Sequence, residues 1–313
     1  MTMVSANWAE AITPETSAAF FMGHFDGGRR TSMIPRLYNM TTSQRAFENH
    51  LAMGAFGSAG WNQFETSGRV NYDDRNKGYE TTFTHKEFAK GFTVQRKLVD
   101  DNLLDTVFND ARQLGDSAFR FREKMAAALF INAFTDTGTD EFGFAIAQAD
   151  GVGLLSAAHP NSPSDTGTTQ SNEGTLALSA ANIGSTRQLH MALNDDRGDL
   201  LSVMPDEIMV PPELEDTLRE EIGSTLDPAS ANNTINPQSG RYSGIVWHYL
   251  TDANSWFMMD SAMRGQDLLW FDRIPLEFGQ EDDFDTLIAK FRAYSRSSRG
   301  ARDWRWIYGQ NPS

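Results

Sequence analysis

No cysteine occurs among the 313 residues of this chain. Disulfide staples, thiolate metal sites and cysteine nucleophiles are therefore excluded, and the composition fits a reducing compartment. Cations are scarce: 27 Lys and Arg stand against 42 Asp and Glu, a net charge of −15. A molecule this acidic does not coat nucleic acid through an overall positive field. Any such contact needs a local basic strip. No apolar run approaches the roughly 18 residues of a membrane helix. Residues 1–20 hold no basic segment leading into an apolar one, as a signal peptide does. The expectation is a chain that is soluble and intracellular when made, without membrane contact.

Catalytic signatures are equally sparse. The six histidines, His24, His50, His85, His159, His190 and His248, show no pair at metal-ligand spacing on one helix and no H-E-x-x-H pattern. They read as packing or surface residues. No Gly-x-Ser-x-Gly elbow is present. A Ser-His-Asp triad is built in space, however, so Ser156 and His159 leave that arrangement open. Gly54, Gly57 and Gly60 are spaced like a loose phosphate loop, but they follow no strand and precede no P-loop lysine, and read as a hinge. Glu281, Asp282, Asp283 and Asp285 lack the glycine spacing of a calcium loop and read as a solvated turn. With 42 acids, paired carboxylates are always available, so their abundance decides nothing. No catalytic residue, metal or cofactor is expected.

What is present is aromatic and elongated. The 21 Phe and 7 Trp suffice for a core and for interface anchors, and the length suits one elaborated domain or two intertwined ones. Two amphipathic pieces, 8–21 and 44–55, flank a link bearing Gly23, Gly27 and Gly28. Thr41 and Gln44 fit a capping box for the second piece. Residues 61–99 alternate polar and apolar through Val70, Tyr72, Tyr79, Phe83, Phe88, Phe92 and Val94. They predict a long hairpin turning at 73–78, with too few apolar residues to bury on its own chain. Residues 101–136 carry helical spacing through Leu104, Val107, Ala111, Leu114, Met125 and Leu129, capped by Asp100 or Asp101. A helix of that length spans roughly 50 Å and reads as a spine, despite the cost of Gly115. Beyond a loop-rich stretch, the pattern predicts a helix over 180–194, a strand over 207–210, a helix opened by Pro211 and Pro212, and a polar loop over 224–241. Strands follow: 245–250 and 256–259 as a hairpin, then 268–278, 284–297 and 304–308, with Arg299 and Gly300 turning the last pair. The order is α+β, without alternating βα units.

Near the end, Arg292, Arg296, Arg299, Arg302 and Arg305 crowd around Tyr294, Trp304, Trp306 and Tyr308. Three readings stand. The arginines pair with acidic neighbours inside a sheet, or they anchor a subunit interface, where Arg, Trp and Tyr are enriched, or they touch DNA.

The order of elements resembles the tailed-phage capsid fold, named after a Hong Kong phage, and in finer detail the major head subunits of Mu-like phages. Three places carry the resemblance: residues 126–134 at the end of the spine; 150–156 with His159 and Pro160; and the ending from Arg292 to Gly309. Trp256-Phe-Met-Met-Asp260 also resembles the hairpin before the last sheet in such proteins. It implies an α+β capsid fold: an N-terminal arm over 1–57, an extended hairpin arm over 58–99, a peripheral domain over 100–199 and 266–313, and an axial domain over 200–265. It implies a major capsid protein and not an enzyme, self-assembling as hexamers and pentamers into an icosahedral virion shell in the host cytoplasm. Such a shell holds packaged DNA without reading its sequence, and works with scaffolding, portal and decoration proteins. A long cleavable N-terminal scaffolding region is missing, so scaffolding would be a separate protein. The assembly interface is expected at Tyr72, Lys77, Tyr79 and Phe83 of the hairpin and at Arg292, Arg296, Arg299, Arg302, Trp304, Arg305 and Trp306 of the terminal strip. Two alternatives compete: an encapsulin-type nanocompartment shell, and a β-rich hydrolase built on carboxylates.

Overall fold

The computed structural model describes residues 8–25, 31–54, 56–58, 61, 63–101, 103–226, 234–283 and 285–312. Gly27, Gly28, Gly60 and Phe284 lie outside that set. Helix α1 (Trp8–Phe25) and a single turn, α2 (Ile34–Leu37), precede strand β1 (Asn39–Thr42). Strand β2 (Phe47–Met53) leads through a connection with one helical turn, α3 (Phe64–Ser67), to β3 (Lys77–Thr84) and β4 (Lys86–Gln95). A short helix, α4 (Arg96–Asp100), is followed by α5 (Leu104–Ile131). The middle holds β5 (His159–Ser162), β6 (Asp165–Gln170), the two-residue β7 (Glu173–Gly174) and α6 (Ala180–Met191). Strand β8 (Glu207–Val210), α7 (Glu215–Gly223), β9 (Ser243–Val246), β10 (Trp256–Met259) and α8 (Ser261–Asp267) come next. The chain closes with β11 (Leu268–Asp283), β12 (Ile288–Ala301) and β13 (Ile307–Gln310). No described helix is long and apolar enough to cross a membrane.

The spine is α5. Its 28 residues span about 42 Å at the standard helical rise. The predicted aspartate cap is not used, because α4 is a separate turn that Asp101 closes, and α5 restarts after Leu103. Gly115 belongs in the helix for a steric reason. A Cβ there would lie 2.0 Å from the Phe20 carbonyl oxygen of α1, and one on Gly23 would lie 1.9 Å from the Arg112 carbonyl. The two glycines let α1 and α5 cross backbone to backbone, burying Ala19, Phe20, Ala111 and Leu114 in one cluster.

Two sheets carry the body. One has the order β1-β11-β12-β4, the other β7-β13-β10-β8-β9. The expected hairpin between 245–250 and 256–259 does not form. Strands β9 and β10 both pair with β8, and β9 runs parallel to it. The reason is burial. Trp256 and Met258 enter one apolar cluster while Phe257 and Met259 enter another, so β10 is covered on both faces and takes a central position. Arg299 and Gly300 make no turn either. They lie within β12 opposite Trp270 and Leu269, and the reversal comes earlier, between Asp283 and Ile288; of the acidic run, Glu281, Asp282 and Asp283 are paired at the end of β11 and Asp285 lies in the turn. The largest cluster joins Met125 and Phe130 of α5 to Trp247, Phe257, Trp270, Trp304 and Trp306.

The predicted hairpin over 58–99 is also redrawn. Strand β3 pairs with β2, from Phe47–Thr84 to Met53–Lys77. Strand β4 instead joins the body sheet through β12. The arm is therefore a ribbon of 47–53 and 77–84 whose far end is the connection 54–76. The alternation across 61–99 was read as one hairpin because β3 and β4 are continuous through His85, yet they serve different sheets. The helix expected at 44–55 is strand β2, whose residues alternate in exposure at period two.

Candidate assembly surface

Two strands alone are marginal in water, and this ribbon has little to bury. On β2 the outward face carries Phe47, Asn49, Leu51 and Met53, and the three apolar side chains are all exposed. Beyond them Phe56, Phe64, Val70 and Tyr72 are exposed, Tyr72 to 91%. Arg75 bends back to the Met53 and Gly54 carbonyls, at 3.0 and 2.7 Å, and ties the connection to the strand end.

The root of the arm is fastened to the body. Phe83 packs on Leu269 and Phe271, with ring centroids 5.2 Å apart for Phe83 and Phe271. His50 stacks on Phe271 at 5.8 Å. Gly300 leaves room for this, since a Cβ there would stand 2.8 Å from the Phe83 ring. His85, between β3 and β4, is buried and bridges Ser43 and Ser298 at 3.1 and 2.9 Å. Ser43 gives its hydroxyl hydrogen to Glu48 at 2.7 Å. His85 Nε2 therefore donates to Ser43, and Nδ1 accepts from Ser298. Burial, with Arg296 and Arg273 nearby, pushes His85 below its ordinary range, as burial and Arg302 do for His50.

The terminal strip turns out to be mostly internal. Arg299 and Asp140 form an ion pair with both side chains 3% exposed, and Arg299 lies over the Phe144 ring. Trp304 and Trp306 are core residues. Arg305 binds Asp303 at 3.0 Å and the carbonyls of Asn194 and Asn161, both at 3.1 Å. Arg302 meets Asp267 at 3.1 Å. Burial and the Asp303 charge nevertheless push Asp267 up to about 6, outweighing Arg302. Arg296 approaches Glu87 at 3.7 Å. The expectation that Arg299, Trp304 and Trp306 anchor an interface is therefore corrected: they are committed within this chain, and the sheet-internal pairing reading fits. Arg292 is exposed on β12. In the arm, Tyr72 and Lys77 are exposed, Tyr79 is half-buried, and Phe83 is spent on the root.

The open triad resolves into a structural network. His159 is fully buried and stacks on Trp304 at 4.1 Å. Asn172 Nδ2 faces the carbonyls of Leu154, Trp304 and Ile307, so its Oδ1 is the atom that meets His159 Nε2, at 3.0 Å. Nδ1 meets Asp150 at 2.6 Å. Both imidazole nitrogens are thus engaged by oxygens, Asp150 on one side and Asn172 on the other, and neither is left to take a proton from Ser156. His190 is likewise internal: it donates to the Arg305 carbonyl at 3.0 Å, and burial pushes it down to about 4.

Sequence reading missed the apolar face of β2 and the residues 195–199, which the arm touches. Phe47, Leu51 and Met53, all at odd positions and interrupted by Asn49, were the available signal for the first. A contact between segments this distant in the chain leaves no local pattern for the second.

A family model described as phage capsid protein matches residues 78–309. No curated protein matches. Among solved structures, the capsid of an empty GTA particle is 14% identical with a TM-score of 0.56, and 91% of each chain is covered. The procapsid of bacteriophage JBD30 is 14% identical with a TM-score of 0.51, covering 99% of this chain and 77% of that one. A virus-like particle from Pyrococcus furiosus is 10% identical with a TM-score of 0.50, covering 94% and 96%. At these identities the likeness is one of fold.

Proposed function

We propose how this chain, which belongs to the phage capsid protein family, builds its shell. It is a major capsid protein, a structural subunit that associates with copies of itself. The observation that carries our reading is the arm. A two-stranded ribbon with an apolar outer face (Phe47, Leu51, Met53) and an exposed far end has no core of its own. That apolar face is covered only by lying on another molecule, and repeated heterologous contacts of that kind close into rings when the rotation closes. The body by contrast has a core of its own, with α1 crossing α5 backbone to backbone and Ile307 of the terminal strand in the largest cluster.

In this reading the subunits form hexamers and pentamers of an icosahedral shell, with residues 200–265 toward the ring axis and the spine toward the periphery. Kinship with Mu-like head subunits rests on the motifs at 126–134, 150–160 and 292–309. The net charge of −15 supports a wall that confines packaged DNA without gripping it. Scaffolding, portal and decoration proteins are the expected partners, and host cytoplasm the site of assembly.

The test is electron microscopy of the purified chain beside a variant whose residues 56–74 are replaced by a short Gly-Ser turn. That cut spares β2, β3 and the body strand β4. The expected result is uniform shells or capsomer rings from the first and folded, unassembled subunits from the second. Normal shells from the shortened arm refute its assignment. Nucleic acid inside the particles separates a virion from a nanocompartment that holds protein cargo.

A further inference from the structure

Residues 195–199 form a preshaped loop. The buried carboxylate of Asp195 accepts the backbone N–H of Arg197 at 2.8 Å and of Asp199 at 2.9 Å. Gly198 takes a φ of +87°, and Asn194 bridges to Leu200 across the base. Gln170 and Arg305 also hold Asn194 at the base, and none of these bonds comes from the arm.

The far end of the arm rests on it. Arg197 sets Nη1 against both Asp73 carboxylate oxygens, at 3.1 and 2.9 Å, and donates through Nη2 to the Asp74 carbonyl. Ser58 gives its backbone N–H and its hydroxyl to the two oxygens of Asp199, at 2.5 and 2.7 Å. Those bonds hold the Asp199 carboxyl below its ordinary range. Asn76 reaches Asp196 at 3.3 Å. The fit is steric as well. A Cβ on Gly54 would fall 2.1 Å from an Asp196 oxygen, and one on Gly57 would fall 3.0 Å from Arg197 Cδ. Gly54 and Gly57, which sequence alone reads as a hinge, are the faces that let the loop approach.

This contact uses polar groups only. Phe56, Phe64, Val70 and Tyr72 stay exposed while it is made. Ion pairs at exposed sites contribute little, so self-docking is weak and reversible. Identical bonds are available from any other copy of the chain, at little cost, as in domain swapping. A neighbour's arm offers the same bonds, and self-docking leaves these apolar side chains in water.

We propose that the loop 195–199 is the docking site for the arm, that in the shell it receives the arm of a neighbouring copy, and that the free subunit holds its own arm there. This rests on the shell reading above and adds the receptor.

The absence of cysteine makes the test clean. A Cβ on Gly54 lies 2.8 Å from Asp196 Cγ, which brings the two Cβ positions near the spacing a disulfide requires. Full chains carrying Gly54→Cys with Asp196→Cys are oxidised as free subunits and again after assembly, then run without reductant. Expected are monomers with an internal bond from free subunits and linked multimers from shells. Shells mixed from the two single variants are expected to give linked dimers, and shells of either single variant alone none. Internal bonds that persist in shells, or mixed shells that stay unlinked, overturn the exchange. If the cysteine variants do not assemble, charge reversal replaces them. Asp73→Arg and Arg197→Asp are each expected to lose most of their particle yield alone and to recover it when coexpressed. Full yield from either alone, or no recovery together while one chain carrying both reversals assembles, overturns it equally. The wild-type chain on the same grids tests the shell reading by itself: wild-type particles beside cysteine-variant shells that hold only internal bonds sink the exchange alone, and no wild-type particles remove both.

Discussion

Replacing Arg299 by Met tests the internal placement of the terminal strip. Both partners of the Arg299–Asp140 pair are 3% exposed. One Asp140 oxygen is already occupied by the backbone N–H groups of Phe142 and Phe144, at 3.0 and 2.8 Å. The other depends on Arg299. Removing the guanidinium leaves a buried carboxylate with one oxygen bare, and breaking a buried pair from one side costs about 3–5 kcal/mol. Asp140→Asn should cost a comparable amount, since it strands the arginine charge while an amide oxygen still holds the turn. The double variant Arg299→Met/Asp140→Asn buries no unpaired charge and should recover a large part of the loss. Arg292→Ala, exposed on the same strand, should stay within about 0.5 kcal/mol of wild type. Urea unfolding of free subunits reads all four. If Arg299→Met unfolds like wild type yet abolishes shells, the guanidinium faces a neighbour and the reasoning fails.

Gly115→Ala should lower the melting temperature, although Ala is favoured over Gly in a helix by about 1 kcal/mol, because its methyl meets the α1 backbone at 2.0 Å. A variant melting above wild type with α1 still protected from hydrogen exchange would disprove the backbone-to-backbone crossing. His190, held down to about 4 from its ordinary 6.5 by burial, contributes stability that is complete above about pH 6.5. That stability drains away as pH falls toward 4, because the unfolded chain binds the proton first, at about 1.4 kcal/mol per pH unit. His190→Gln should flatten this slope in urea titrations between pH 7 and 4.5, and an unchanged slope assigns the acid sensitivity elsewhere.

Much of the fold was legible wherever structure follows from local period. The 3.6-residue spacing from Leu104 to Leu129 marked α5 within a few residues, and β8, α6 and α7 emerged from strand runs, helical spacing and proline placement. Partnership was not legible. Strand β4 pairs with β12, Gln95 opposite Ile288, and nothing local distinguishes that from pairing with β3. The segment 44–55 was misread because Thr41 and Gln44 imitate a helix start, while the decisive fact is that β3 lies alongside. At the candidate surface, the arm as a ribbon lacking a core was visible in its composition. The arginines near the end were not assignable, since Arg beside Trp looks alike in an interface and in a core. Only Asp140, lying far back in the chain, separates the two.

The placement of β12 and β13 governs when a subunit exists at all. Strand β12 lies between β11 and β4, and β13 between β7 and β10, while Trp304 and Trp306 fill the largest cluster. A nascent chain that lacks residues 288–310 therefore has two open sheets and a hollow centre, however much of the arm has already emerged from the ribosome. Long-range pairing of this kind is slow to form, and a segment synthesised well after the arm supplies it. Neighbouring chains on one polysome thus carry arms before they carry bodies to receive them, and translation itself separates the making of subunits from their joining.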